Sequence, residues 1–191
     1  IEIAHVPNTG RCKELLVEDA NVYLAPSDNP NRKTKFTLHF VENKNQLVSL
    51  YSQEANKIVY EAIESGKIKE LLGYSTHQRE ENEECYVEVK GVTLIIDGEA
   101  RFPDAPTQRG TKHLKELIKL KKEGIRTVVF FLIQHPAGNN FRPNWDNDPE
   151  FSKTLNEAYD EGVEILVYKT ENTLDGINFV EESLDFELSQ E

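Results

Sequence analysis

The sequence predicts a two-domain α+β and α/β protein: a small β-barrel of the OB type over residues 1–50, followed by a mixed α/β domain over residues 51–191. Three observations point there. The N-terminal part reads as short alternating strands broken by turns, with one small helical insert, a pattern that suits a small Greek-key barrel. From residue 53 the texture changes to longer strands and helices in alternation, which implies crossover connections and a parallel sheet. Charge divides at the same place. Residues 1–50 balance six Lys/Arg against six Asp/Glu, whereas the rest of the chain carries the whole formal net charge of −12.

In chain order, IEIAHV alternates, and PNTG is turn chemistry with Gly10 free to take a positive φ. RCKELL suits one or two helical turns, and ANVYLAPS is a strand ended by Pro26. After the polar loop SDNPNRK, KTKFTLHFVEN alternates again. Phe36, Leu38 and Phe40 fall on one face, and Lys35, Thr37 and His39 on the other. QLVSLYS reads as a further strand.

In the second unit, SQEANKIVYEAIESGKI places Ile58, Val59, Ala62 and Ile63 at helical spacing, with Gly66 as the stop. CYVEVKGVTLI reads as one strand. TKHLKELIKLKKEG is a helix with Leu114, Leu117, Ile118 and Lys121 along a stripe, started by Thr107 and ended by Gly124. RTVVFFLIQ is an almost continuous apolar run, as in a strand buried on both faces. DPEFSKTLNEAYDEG is a helix with Asp148 as N-cap and Pro149 in its first turn. VEILVYKTE is the last strong strand, and the acidic tail EESLDFELSQE is expected on the surface or partly loose.

Composition narrows the function classes. No apolar run approaches the ~18 residues of a membrane span, so no membrane partner is expected. The two cysteines, Cys12 and Cys85, lie far apart and make no metal-type spacing with a histidine. A disulfide framework is therefore not expected, and a reducing cytoplasmic setting is the default. An acidic chain repels phosphate overall, so contact with nucleic acid needs a local basic patch.

The strand CYVEVKGVTL carries the chemistry. Side chains alternate across a strand, so Glu88 and Lys90 share one face while Val87 and Val89 take the other. A carboxylate and an ammonium roughly 7 Å apart along a strand are able to converge on one small object. Hydrolysis of a phosphodiester uses such a pair: the acid anchors Mg²⁺ (or Mn²⁺), and the amine positions water or stabilises developing charge. By itself E-x-K also fits a same-face salt bridge on an edge strand. Its place beside a buried strand favours function, because an unpaired charge there is costly.

HVPNTGRCKELL, SDNPNRKTKFTL, CYVEVKGVTL, FPDAPTQRGTKHLKEL and FFLIQ together resemble the SfsA, or sugar fermentation stimulation protein, family over nearly the whole chain. The resemblance implies an OB-like domain joined to a domain of the PD-(D/E)xK nuclease type, non-specific DNA binding, and a regulatory role in sugar use, notably of maltose. It also implies a serine-arginine-x-aspartate motif just before the E-x-K strand, whose aspartate is a second metal ligand. Here HQREENEECYVEVK runs from Arg79 to Cys85 without that aspartate. Either a ligand is lost or a segment is left out. The absence of any methionine, where about four are usual, favours the second.

Further candidates surround that strand. Glu61 is either another carboxylate for the ion or an exposed partner of Lys57 one turn earlier. Asp104 sits in a stiff proline loop and resembles a family position, as a metal ligand or as a turn residue. Arg109 and His113 share a helix face next to Leu117, suited to phosphate contact or to packing. Arg11 and Lys13 in one loop, with Arg32, Lys33 and Lys35 in another, form the basic set of a nucleic-acid surface on the barrel. Neither the strandedness of the DNA nor the oligomeric state follows from the sequence, which is compatible with a homodimer.

Overall fold

The structure, a computed structural model, describes residues 1–7, 12–27, 29, 31–51, 54–75 and 84–190. Gly10, Arg11 and the stretch containing Arg79, Glu80 and Glu81 lie outside the described residues.

Four strands build the first unit: β1 (Ala4–His5), β2 (Val22–Pro26), β3 (Phe36–Asn43) and β4 (Gln46–Ser49). β3 is the hub. β2 runs antiparallel along one edge, and the other edge is shared by β1, parallel at Phe36 and Thr37, and β4, antiparallel at Phe40 to Asn43. A two-residue turn, Lys44 and Asn45 with φ of 49° and 62°, joins β3 to β4. Both angles are those of the type I′ turn, whose twist matches a hairpin. RCKELL makes a single turn, with Leu15 N and Leu16 N donating to the Cys12 carbonyl at 3.1 and 2.9 Å. That turn buries Cys12 and Leu15 against Leu38, Val41, Val48 and Leu50. Simple alternation fails at Thr37, which is buried. The Arg32 loop folds over that face, and its guanidinium donates to the Thr37 hydroxyl at 2.9 Å.

The second unit begins with α1 (Glu54–Glu64) and a short 3₁₀ turn at Lys69–Leu71. There follow β5 (Cys85–Val92), β6 (Leu94–Ile96), β7 (Glu99–Phe102), α2 (Gln108–Lys122), β8 (Arg126–Ile133), β9 (Asn140–Pro143), α3 (Pro149–Asp160), β10 (Glu164–Thr173) and β11 (Gly176–Phe179). The main sheet has the order β11-β10-β8-β5, with β8 parallel to both neighbours and β11 turned back on β10. A second sheet, β6-β7-β9, stands beside it.

The apolar run of β8 is divided between two faces. Val128, Phe130 and Leu132 pack with Ala55, Val59 and Ala62 of α1. Val129, Phe131 and Ile133 pack with Leu114 and Leu117 of α2 and with Phe151 and Leu155 of α3. The caps are where the sequence places them. Thr107 Oγ1 accepts from Gly110 N at 3.0 Å, and Asp148 Oδ1 accepts from Phe151 N at 3.0 Å. Asp148 Oδ2 also accepts from Thr107 N at 2.8 Å, so one carboxylate ties together the starts of α2 and α3.

Two expectations change. CYVEVKGVTLI is not one strand: the chain leaves the main sheet at Thr93 and enters the second as β6, which returns through Asp97-Gly98 into β7. The acidic tail is docked rather than loose. Phe141 N donates to Asp185 O and Glu187 N to Phe141 O, each at 3.0 Å, while Leu184, Phe186 and Leu188 pack on the core. Those three apolar residues alternate with acids, so every second side chain faces inward.

The two units are stitched together at the end of β8. Ser49 N donates to Gln134 O at 3.2 Å, and Asn172 Nδ2 donates to Leu47 O at 2.8 Å and to Gln134 O at 3.0 Å. At Gly91 a Cβ would stand 2.5 Å from Gln134 Oε1, so any larger residue there would push that side chain aside. Among the described residues no helix is long and apolar enough to cross a membrane.

Candidate functional site

The register of β5 against β8 sets Glu88 opposite Val129 and Lys90 opposite Phe131. Both charged side chains therefore emerge on the face covered by α2, while Val87 and Val89 join the α1 core. Lys90 Nζ donates to Glu88 Oε1 at 2.7 Å, and the Lys90 side chain is only 12% exposed. From α2, His113 Nδ1 meets the same oxygen at 2.5 Å. Arg109, one turn earlier on α2, points Nε at His113 Nε2 at 3.5 Å, the long end of the hydrogen-bond range. A row of four thus runs from α2 to the strand: Arg109, His113, Glu88, Lys90.

Burial raises the Glu88 carboxyl, but hydrogen bonds from Lys90 and His113 and the Lys90 charge outweigh it. The group lies below its ordinary value of 4.5 and is ionised at neutral pH. A cleft of about 400 Å³ opens beside it, lined by Tyr86, Glu88, His113, Leu117, Lys119 and Leu120 among others. Tyr86 was not singled out from the sequence. It stands two residues before Glu88, on the same face and 46% exposed, so strand alternation carried the signal.

The other predicted residues are placed elsewhere. Glu61 lies on α1, across the sheet from Glu88, and its carboxylate is 3.8 Å from Lys57 in an exposed pair. Asp104, half-buried between β7 and α2, acts electrostatically on the barrel: with burial, its charge helps push the Cys12 thiol up to about 11. Both cysteines are free, and burial likewise raises Cys85 to about 11. On the barrel, Lys13, Arg32, Lys33 and Lys35 are exposed. Arg32 is anchored by Thr37 and by Ser27 at 3.4 Å. The structure does not bring the barrel cations to Glu88 by any contact among the described residues.

A second charged group lies on the β6-β7-β9 sheet. Register sets Arg101 beside Arg142 and Glu99 beside Asn140. Glu99 pairs with Arg101 and, at 3.3 Å, with Arg142, whose side chain is 9% exposed. Arg142 also pairs with Glu187 of the tail.

Among the described residues no group of three His, Cys, Asp or Glu converges as a metal cluster. Glu88 still suits a hard cation. It is ionised and held by two donors on one oxygen, and Mg²⁺ is commonly bound through one or two carboxylates while keeping several waters.

Fold and site together define a class: an OB barrel followed by a mixed α/β domain that carries an acid–amine pair on a strand beside its central strand. The family model described as the SfsA N-terminal OB domain matches residues 1–50, and the one described as the sugar fermentation stimulation protein RE domain matches residues 78–176. The chain belongs to the sugar fermentation stimulation protein (SfsA) family. It is 69% identical, over 214 residues, to a sugar fermentation stimulation protein homolog of Methanobrevibacter smithii, with all of this chain and 90% of the relative covered. A homolog from Thermoanaerobacter sp. is 49% identical over 87% of this chain and 78% of the relative. The solved structure of Pyrococcus furiosus SfsA in complex with Ca²⁺ superposes with a TM-score of 0.88 at 29% identity, covering 97% of this chain and 86% of that one.

Proposed function

We propose that this protein binds DNA largely through the phosphate backbone, in a regulatory role in sugar use. In this reading the Glu88–Lys90 strand is the working half of a divalent-cation-dependent phosphodiesterase centre of the PD-(D/E)xK type. The observation that carries it is the ionised Glu88, held by Lys90 and His113 at the wall of a cleft. That the Pyrococcus furiosus relative was solved in complex with Ca²⁺ supports cation binding in the family.

Glu88 would hold the ion, which when bound neutralises phosphate charge and lowers the pKa of water. Lys90, two residues along the same face and donating to Glu88 at 2.7 Å, would orient water or meet a phosphate oxygen. Lys33 and Lys35, exposed on the barrel loop, would take backbone phosphates.

The test is cleavage of single- and double-stranded DNA with Mg²⁺ or Mn²⁺. Activity should require the metal, vanish in Glu88→Ala, and fall about 10²–10³-fold in Lys90→Ala. Binding without cleavage under every condition removes the enzymatic half. Replacing Arg32, Lys33 and Lys35 by Gln should weaken binding and flatten its salt dependence, by about one unit of slope for each phosphate no longer neutralised.

One observation favours a second reading, a non-enzymatic regulator on a degenerate nuclease fold: Lys90 is nearly buried against Glu88, as in a structural ion pair. That protein would bind DNA equally well after Glu88→Ala.

A further inference from the structure

We infer that His113 is a positioning residue that sets the Glu88 carboxylate for its cation; this rests on the reading of Glu88 as a cation ligand. The argument begins with donors and acceptors. An ionised carboxylate only accepts, so the imidazole nitrogen 2.5 Å from Glu88 Oε1 carries a proton, and that nitrogen is Nδ1. An arginine Nε–H only donates, so the nitrogen facing Arg109 at 3.5 Å, Nε2, offers its lone pair. The two neighbours together place a proton on Nδ1 and leave Nε2 turned to Arg109.

The consequence falls on the carboxylate. Lys90 and His113 approach Oε1 from different elements, one from the same strand and one from a helix 25 residues further on. Both donate to that single oxygen, and Oε2 has no hydrogen-bond partner among the described residues. Lys90 alone would tie that oxygen only within one strand, because Glu88 and Lys90 both belong to β5. The ring is carried by α2, one turn before the buried Leu117 on the same helix face. It therefore decides which oxygen is engaged and which is left to a ligand. A donor behind a metal-binding group is the general way proteins orient such groups, and its loss typically costs about 10–100-fold in metal affinity.

The experiment is titration of the metal-free full chain with Mn²⁺ and with Ca²⁺ by calorimetry, in wild type, His113→Leu, His113→Asn and Glu88→Gln. His113→Leu should bind about 10–100-fold more weakly. His113→Asn should recover most of that loss, because its amide N–H reaches the position of Nδ1, and Glu88→Gln should abolish binding. Nitrogen-15 spectra of the metal-free wild type should place the imidazole proton on Nδ1. Wild-type binding that is unchanged in a folded His113→Leu, or a proton found on Nε2, overturns the role of His113 while leaving the cation reading intact. A wild type that takes up neither ion retires the cation reading itself, and the positioning role with it.

Discussion

The charged group on the second sheet and the one on β5 are made from the same kinds of residue but are completed differently. On the second sheet two arginines face two glutamates, and Asn140 adds a donor to Glu99 at 3.1 Å. Its charges balance within the group, and one of its acids belongs to the tail, so the network serves to hold the tail down. On β5 one carboxylate faces an ammonium, an imidazole and, behind the imidazole, a guanidinium. Donors outnumber acceptors there, and the group opens into a cleft. A balanced network fastens a structure; one with donors in excess around a single acid has donors left to meet an anion from outside.

Mutations divide along that line. The largest effect is expected from Arg142→Met, which leaves Glu99 and Glu187 without their shared cation. The loss is to be read by urea unfolding. The same variant should alter the fluorescence of Trp145, whose Nε1 donates to Leu188 O at 3.1 Å. If Arg142→Met is as stable as wild type, the second group is not a fastening. Next comes Glu88→Gln, with a loss of no more than about 1.5–3 kcal/mol, since it weakens hydrogen bonds to a charged group while Lys90 retains some access to water. A loss exceeding that of Arg142→Met would reverse the comparison.

The pH dependence sharpens it further. The folded value of Glu88 is depressed, so its contribution is complete above the unfolded carboxylate range near 4.5 and is lost as pH falls through the lowered folded value. Wild type should therefore lose stability on acidification more steeply than Glu88→Gln below about pH 4.5. Equal acid limbs would mean that Glu88 titrates normally. The smallest effect belongs to Glu187→Gln. The tail is also held by Leu184, Phe186 and Leu188 and by backbone bonds to Phe141. Amide exchange at Phe141 and Glu187 should stay as slow as in wild type; rapid exchange would make the Glu187 pair the actual clasp.

Much of this architecture was legible in the residues because it depends on local signals. Thr107, Asp148, Gly66 and Gly124 mark helix ends by backbone chemistry, and strand alternation alone puts Glu88 beside Lys90. The partnership of His113 with Glu88 was not legible. It depends on how α2 lies over β5, which follows from the packing of Leu114 and Leu117 against β8 and not from spacing along the chain. Glu61 shows the same limit: helical periodicity says which side of α1 is apolar, but not which face of the sheet α1 covers. Arg101 and Arg142 became neighbours only through the parallel register of β7 and β9. The tail is the opposite case: Leu184, Phe186 and Leu188 alternate in the sequence itself, and the acids between them mask the signal.

The stitching at Gln134 has one more consequence. Because β4 is bonded to the tips of β8 and β10, the barrel cannot swing without breaking backbone and amide contacts. For the DNA binding proposed above, these bonds would hold the Lys33–Lys35 loop and Glu88 at a set separation, so that the molecule would act as a ruler. Oligonucleotides shorter than that span would touch one end or the other, and affinity should rise in a step once a strand is long enough to reach both.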